Sequence, residues 1–297
     1  MKTAWLFPGQ GSQHLGMGAE LEHTPEAAPL FAEAETILGW SVVEIARGSK
    51  ALLDRTLYTQ PALFTVCAAM AQVALAKGVP LPKLIAGHSL GEYTALWLAG
   101  VFDFGTGLRL VSERARLMDG QQAGAMAALI GFDRVLLESL CAEKPGVVIA
   151  NDNSPMQVVI SGTPERVAEV GAASKAKRVI PLAVSGAFHS PLMTPAATAF
   201  AQVLERVDFA PAKIPVLCNV KPQLPTTDPT KLKARLQKQI DHPVRWRETI
   251  LTMADMGMTE LIEVGPGTVL TGLAKKMVPN QKLTNLQIPA DVLIAVG

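Results

Sequence analysis

Short apolar runs alternate with longer helical patterns along this chain, and that alternation restricts it to α/β architecture with a mostly parallel sheet. Residues 3–7 read as a first strand, stopped by Pro8-Gly9-Gln10-Gly11-Ser12. A helix follows in the acidic, alanine-rich stretch beyond. Residues 60–76 form a long buried helix, 83–86 a brief strand, 87–91 a tight turn and 90–99 a further helix. The middle of the chain departs from this rhythm. Segments 125–130, 147–150, 158–161 and 178–182 are strand-like, with helical 134–142 and 165–175 between them. That β-α-β-β-α-β order is the split βαβ pattern of a ferredoxin-like module. Helix then returns at 195–207, strand at 216–219, helix at 230–240, and helix plus strand from 248 to 264. We therefore expect one large α/β lobe, residues 1–123 and 186–297, interrupted by a small module at 124–185, with a cleft at their seam.

Composition narrows the function classes. The chain has 297 residues, 49% hydrophobic and 18% charged, which places it among folded globular proteins. A net charge of +1 with no long block of either sign provides no broad field for nucleic acid. Cys67, Cys141 and Cys218 are odd in number, far apart and without CxxC spacing, which suits buried thiols in a reducing compartment better than disulfides or zinc. The N-terminus has only five residues between Lys2 and Pro8, too short for a signal-peptide core. The longest apolar stretch, 61–76, contains Gln72 and falls short of the roughly 20 residues of a membrane span. A cytoplasmic protein with no membrane or nucleic-acid partner is expected.

Chemistry enters with Gly87-His88-Ser89-Leu90-Gly91, a GxSxG pentapeptide between a predicted strand and a predicted helix. A serine there is lifted clear of the backbone on a sharp turn, and the Leu90 N–H points where an oxyanion would form. Such a nucleophile needs a base, and the chain has five histidines. His88 is adjacent to Ser89 in sequence and reads as a packing residue. His14 lies in a glycine-rich loop, and His23 and His242 sit in polar surroundings. His189, in Gly186-Ala187-Phe188-His189-Ser190-Pro191, follows the last strand of the small module and would be delivered to the seam between the lobes. Projecting the helix around 107–118 at about 100° per residue places Arg114 inside the apolar half, between Leu110 and Met118. A buried guanidinium needs an anion, either one of the protein's own carboxylates or a substrate carboxylate held bidentately. The loop after the first strand could hold backbone N–H groups near an oxyanion. It has neither the GxxxxGK[ST] of a P-loop nor a full GxGxxG. Glu263-Val264-Gly265-Pro266-Gly267 reads as a structural strand-to-helix turn, and no ligand cluster suggests a metal.

Six blocks in this order resemble the malonyl-CoA:acyl-carrier-protein transacylase family along nearly the whole chain. They are Phe7-Pro8-Gly9-Gln10-Gly11-Ser12-Gln13, Gly87-His88-Ser89-Leu90-Gly91-Glu92-Tyr93, Arg114, Asn153-Ser154-Pro155 with Gln157-Val158-Val159, His189-Ser190-Pro191-Leu192-Met193, and the Glu263–Gly267 turn. The resemblance implies an α/β-hydrolase-like lobe carrying a ferredoxin-like insertion, with the site in the cleft. It implies Ser89 as nucleophile, His189 as base, Arg114 as the malonyl-carboxylate ligand, and the N–H groups of Gln10 and Leu90 as the oxyanion hole. Gln239 matches the position whose main-chain carbonyl orients the histidine. Ala187-Phe188-His189 resembles the malonyl-selecting form of related polyketide acyltransferases, which places Phe188 in the acyl pocket, although Gly186 departs from that motif. The implied substrates are malonyl-CoA and the phosphopantetheine thiol of an acyl carrier protein, with no bound cofactor. A polyketide acyltransferase or the malonyl-transfer subunit of a malonate decarboxylase would share this chemistry. A serine hydrolase and an inactive carrier-binding module are the remaining readings.

Overall fold

The computed structural model describes residues 2–121, 123–184 and 186–296. Ser185, at the boundary expected for the small module, lies outside the described residues. The larger sheet contains β1 (Thr3–Phe7) and β2 (Leu84–Gly87) at its centre. β3 (Ala125–Ile130), β4 (Val147–Ser154), β5 (Gln157–Gly162) and β6 (Arg178–Pro181) form the smaller sheet. β7 (Val216–Cys218), β8 (Lys221–Thr226), β9 (Glu260–Val264) and β10 (Lys282–Leu286) return to the larger one. Its strand order is β10-β9-β1-β2-β7-β8, parallel throughout except for the antiparallel edge pair β7–β8. The smaller sheet runs β4-β5-β3-β6 and is entirely antiparallel. Two helices, Arg134–Glu143 and Pro164–Ala173, complete its βαββαβ unit, the order read from the sequence.

The central strands are apolar on both faces because helices cover both. Ala4, Trp5, Leu6 and Phe7 are all fully buried. The 21-residue helix Thr56–Ala76 packs into one face, with all but a few of its side chains buried. It begins four residues before the expected start and is long and apolar enough to cross a membrane by length and composition, which corrects the expectation that the stretch is too short. Its apolar surface is covered by the rest of the fold. The N-terminal boundary was hidden because Thr56, Thr59 and Gln60 are polar and yet buried.

The small sheet is tied to the large lobe beside Val244, just before the helix Trp246–Asp255. Val244 N–H donates to the Ala150 carbonyl and Asp152 N–H to the Val244 carbonyl. The Asp152 carboxylate accepts from Arg134 in the small unit (2.8 Å) and from Arg247 in the helix Trp246–Asp255 (2.9 Å). This clamp fixes the small sheet across the ends of β1 and β2, and the cleft between them carries the candidate site.

Candidate active site

Ser89 lies two residues past the end of β2 and two before the helix Gly91–Leu98, at φ +49° in the left-handed region. A serine there is strained, and such strain persists only where the surroundings hold it. Two glycines make the turn possible. A Cβ on Gly87 would lie 1.8 Å from the Gly91 carbonyl carbon, and one on Gly91 would lie 2.0 Å from the Phe7 carbonyl oxygen. The Ser89 N–H donates to Asn219 Oδ1 (2.7 Å), and Asn219 Nδ2 donates to the Gly87 carbonyl (2.7 Å), so one buried side chain from the end of β7 grips both arms of the turn.

His189 meets this serine from 100 residues away. Its Nε2 lies 2.7 Å from Ser89 Oγ. It too is left-handed, at φ +59°, in a loop held by Ser190 Oγ–H donating to the Ala187 carbonyl (2.6 Å) and by its own N–H donating to the Ile240 carbonyl (3.1 Å). Nδ1 faces two carbonyl oxygens, those of Gln239 (2.9 Å) and His242 (3.2 Å). Carbonyls only accept, so Nδ1 carries the proton and Nε2 presents its lone pair to the Ser89 hydroxyl. Among the described residues no carboxylate hydrogen-bonds to the ring. Burial, and then the positive charge of Arg114, hold the His189 pKa down at about 3, so the imidazole is neutral and able to accept a proton at any ordinary pH.

Arg114 is fully buried, as the helical projection of 107–118 requires. Its helix, Phe104–Asp119, is capped by Asp103 accepting from Thr106 N–H (2.7 Å). The guanidinium donates to Gln60 Oε1 (2.7 Å), to Gln239 Oε1 (3.2 Å) and to Ser89 Oγ itself (3.0 Å), and lies over the Tyr93 ring. All three acceptors are neutral, Nε is without an acceptor, and among the described residues the guanidinium forms no salt bridge. The first of the two alternatives raised by the sequence, an ion pair with the protein's own carboxylate, is not what this guanidinium makes. Its cation stands beside the reactive hydroxyl with no carboxylate in direct contact among the described residues.

Gln10 and Leu90 both border this point, one on the loop after β1 and the other at the helix start. Among the described residues neither backbone N–H donates to a protein acceptor. Phe188 is buried and lines the cleft with Met126, Val159 and Leu182 from the small lobe. Gly186 leaves the room this ring occupies, since a Cβ there would lie 2.7 Å from its Cε1. His88 turns away from Ser89, as expected, pairing its Nε2 with Asn153 Oδ1 (2.8 Å) and its ring edge with Trp246. Glu263 caps the helix Val269–Ala274 by accepting from Leu270 and Thr271 N–H groups (3.0 and 2.9 Å), a structural role. Three site residues escaped the sequence reading: Asn219, Gln60 and Glu92. Glu92 could have been found by the projection that exposed Arg114, because it is a carboxylate on the buried face of the helix after the GxSxG turn.

Among the described residues no group of three or more His, Cys, Asp or Glu is arranged to hold a metal ion. A serine, a neutral imidazole, N–H groups without protein acceptors and a buried cation in one cleft have the chemistry to transfer an acyl group that carries a second negative charge. The acyl transferase domain family matches residues 4–288. A malonyl CoA-acyl carrier protein transacylase of Synechocystis sp. PCC 6803 is 50% identical over 286 residues, 96% of this chain and 97% of that protein. The crystal structure of the Synechocystis enzyme superposes with a TM-score of 0.97 at 49% identity, covering 99% of this chain and 100% of that one. A malonyl-transacylase solved in complex with a type II polyketide acyl-carrier protein superposes with a TM-score of 0.95 at 40% identity, covering 99% of each chain. On sequence, fold and the arrangement of this cleft, the chain belongs to the acyl transferase domain family, among its malonyl CoA-acyl carrier protein transacylases.

Proposed function

We propose that the protein moves malonyl from malonyl-CoA to the phosphopantetheine thiol of an acyl carrier protein through a malonyl-serine ester. The observation that carries this reading is a single oxygen, Ser89 Oγ, held at 2.7 Å from the His189 lone pair and at 3.0 Å from Arg114. His189 Nε2 takes the hydroxyl proton as Oγ attacks the thioester carbonyl. The oxyanion that forms accepts from the Gln10 and Leu90 N–H groups. Collapse breaks the carbon–sulfur bond, and the proton on His189 leaves with the CoA thiol. The carrier thiol then gives its proton to His189, attacks the ester, and leaves as malonyl-carrier while Ser89 regains the proton. The Gln239 main-chain carbonyl holds the tautomer that makes both halves possible, in place of an acid.

Arg114 selects the acyl group. A malonyl carboxylate gives the guanidinium a direct anionic partner, while an acetyl group leaves it without one, a loss of the kind that separates substrates by about 10⁴–10⁵. Phe188 closes the pocket against substituents on C2. The chemistry calls for no bound cofactor, and the three free cysteines fit a cytoplasmic location. We place the domain boundaries at 1–123 with 186–297 and at 124–185, supported by the separate apolar cluster of the small unit, which includes Leu129, Leu137 and Ile160. The test is to add purified holo-carrier proteins to enzyme charged with malonyl-CoA. Malonyl-carrier is expected to exceed free malonate. Free malonate as the main product would assign a hydrolase instead.

A further inference from the structure

Arg114 lies near a buried carboxylate and yet does not touch it. Glu92, on the helix after the GxSxG turn, is 1% exposed and faces inward, and no step of the acyl transfer uses it. Between the two stands the Gln239 side chain, itself fully buried. Its Oε1 accepts from Arg114 (3.2 Å), and its Nε2 donates to Glu92 Oε2 (2.8 Å) and to the Ser89 carbonyl (2.9 Å). Glu92 Oε2 also accepts from Asn219 N–H (3.1 Å). The amide can stand only this way round. Turned over, it would aim its NH2 at a guanidinium and its oxygen at a carboxylate and a carbonyl.

We propose that Gln239 and Glu92 are specificity-determining positioning residues: the Gln239 amide keeps a buried counter-charge one hydrogen-bonded group away from Arg114, so that the guanidinium is compensated in the empty enzyme and still free for the substrate carboxylate. The physical argument has two sides. A guanidinium buried with no anion nearby is costly. An anion in direct contact would be a competitor that malonyl must displace from a low-dielectric site. The amide spacer avoids both, since Coulomb attraction persists through it while the donors of Arg114 stay with neutral acceptors that yield readily. The same side chain grips the Ser89 carbonyl and, through its main chain, His189, so selector, nucleophile and base share one support.

This inference rests on the malonyl-transfer reading, and the test separates the two. Acyl-enzyme formation from malonyl-CoA and acetyl-CoA is followed by intact mass over a concentration series, for wild type, Gln239→Glu and Glu92→Gln. Gln239→Glu retains the carbonyl that orients His189 and sets a carboxyl oxygen directly against Arg114, while its second oxygen replaces the donor to Glu92 and the two carboxyls share one proton, so the negative charge moves into contact with the guanidinium. Its KM for malonyl-CoA is expected to rise, and its malonyl-to-acetyl preference to fall, about tenfold or more. Glu92→Gln can accept both existing hydrogen bonds through its amide oxygen, removes the charge and places an NH2 where the second carboxylate oxygen stood. Its preference for malonyl is expected to rise about threefold, through KM rather than kcat. Equal changes for both acyl donors, or an unaltered malonyl KM in a folded variant, would overturn the proposal. If either variant fails to fold, the other decides by the same criterion. Wild type that gains no malonyl would instead remove the underlying reading.

Discussion

Replacing Arg114 by alanine should convert a malonyl-selective site into one that barely distinguishes malonyl from acetyl. The guanidinium makes three hydrogen bonds, all to neutral oxygens, and is fully buried. A malonyl carboxylate would add charge-assisted bonds worth about 1.5–3 kcal/mol each. Two of them amount to roughly 3–6 kcal/mol, and each 1.36 kcal/mol is tenfold in rate. Malonyl kcat/KM is therefore expected to fall by about 10²–10⁴. Acetyl has no carboxylate to lose, so its kcat/KM should change far less, and the ratio between the two should narrow by most of that factor. Truncation also orphans Gln60 Oε1 and opens a cavity, so Arg114→Met, closer in volume, is made alongside and both melting curves are recorded. Rates are read as release of CoA thiol with each donor in the presence of holo-carrier. Equal losses for malonyl and acetyl, or a ratio unchanged from wild type, would refute the assignment of Arg114 as selector.

Four further outcomes rest on the same geometry. Because burial and Arg114 depress His189, acyl loading should continue well below pH 6.5, without an inflection at the ordinary histidine value; a pH–rate profile of malonyl kcat/KM breaking near 6.5 would contradict that. The same depression affects stability with a definite sign. Between pH 6.5 and about 3 the unfolded chain binds a proton at this imidazole and the folded one does not, so the contribution is complete above 6.5 and is lost as pH falls, a slope His189→Gln should lack in melting curves against pH. Asn219→Ala strands the Ser89 N–H and the Gly87 carbonyl, each costing about 1–3 kcal/mol, and should lower kcat for both acyl donors alike, with a lowered melting temperature. Gly91→Ala drives a Cβ into the Phe7 carbonyl oxygen and should destabilise the fold severely; a folded variant with wild-type melting would show that the turn can relax.

The small βαββαβ unit was legible because its strands have turn signals on both sides and its helices begin with capping residues, Asp133 and Thr163. Strands β8 and β10 were not legible. Pro222 and Pro225 argue against a strand at Lys221–Thr226, and it exists as an antiparallel edge where missing N–H groups are tolerated. Lys282–Leu286 is an edge strand with one fully buried residue, so its pattern is weak, and the stretch beyond Asn280 showed no role in the sequence. It completes the parallel sheet beside β9. In the site, Ser89 and Arg114 announce themselves locally, through a strained turn motif and a charge on an apolar helix face. Asn219 lies 130 residues from the serine it supports and Gln60 54 residues from Arg114, and nothing adjacent to either in sequence records the approach. The Gln239 carbonyl behind His189 was reached only through family resemblance, since a main-chain acceptor leaves no mark on residue type.

The central claim is that Ser89 carries malonyl between two thiols. Intact-mass measurement of the protein after mixing with malonyl-CoA, with Ser89→Ala beside it and holo-carrier added second, tests it most directly. The expected result is one malonyl group gained by wild type, none by Ser89→Ala, and its complete removal as malonyl-carrier. A wild-type chain that gains no mass, or an adduct that persists in Ser89→Ala, would contradict it.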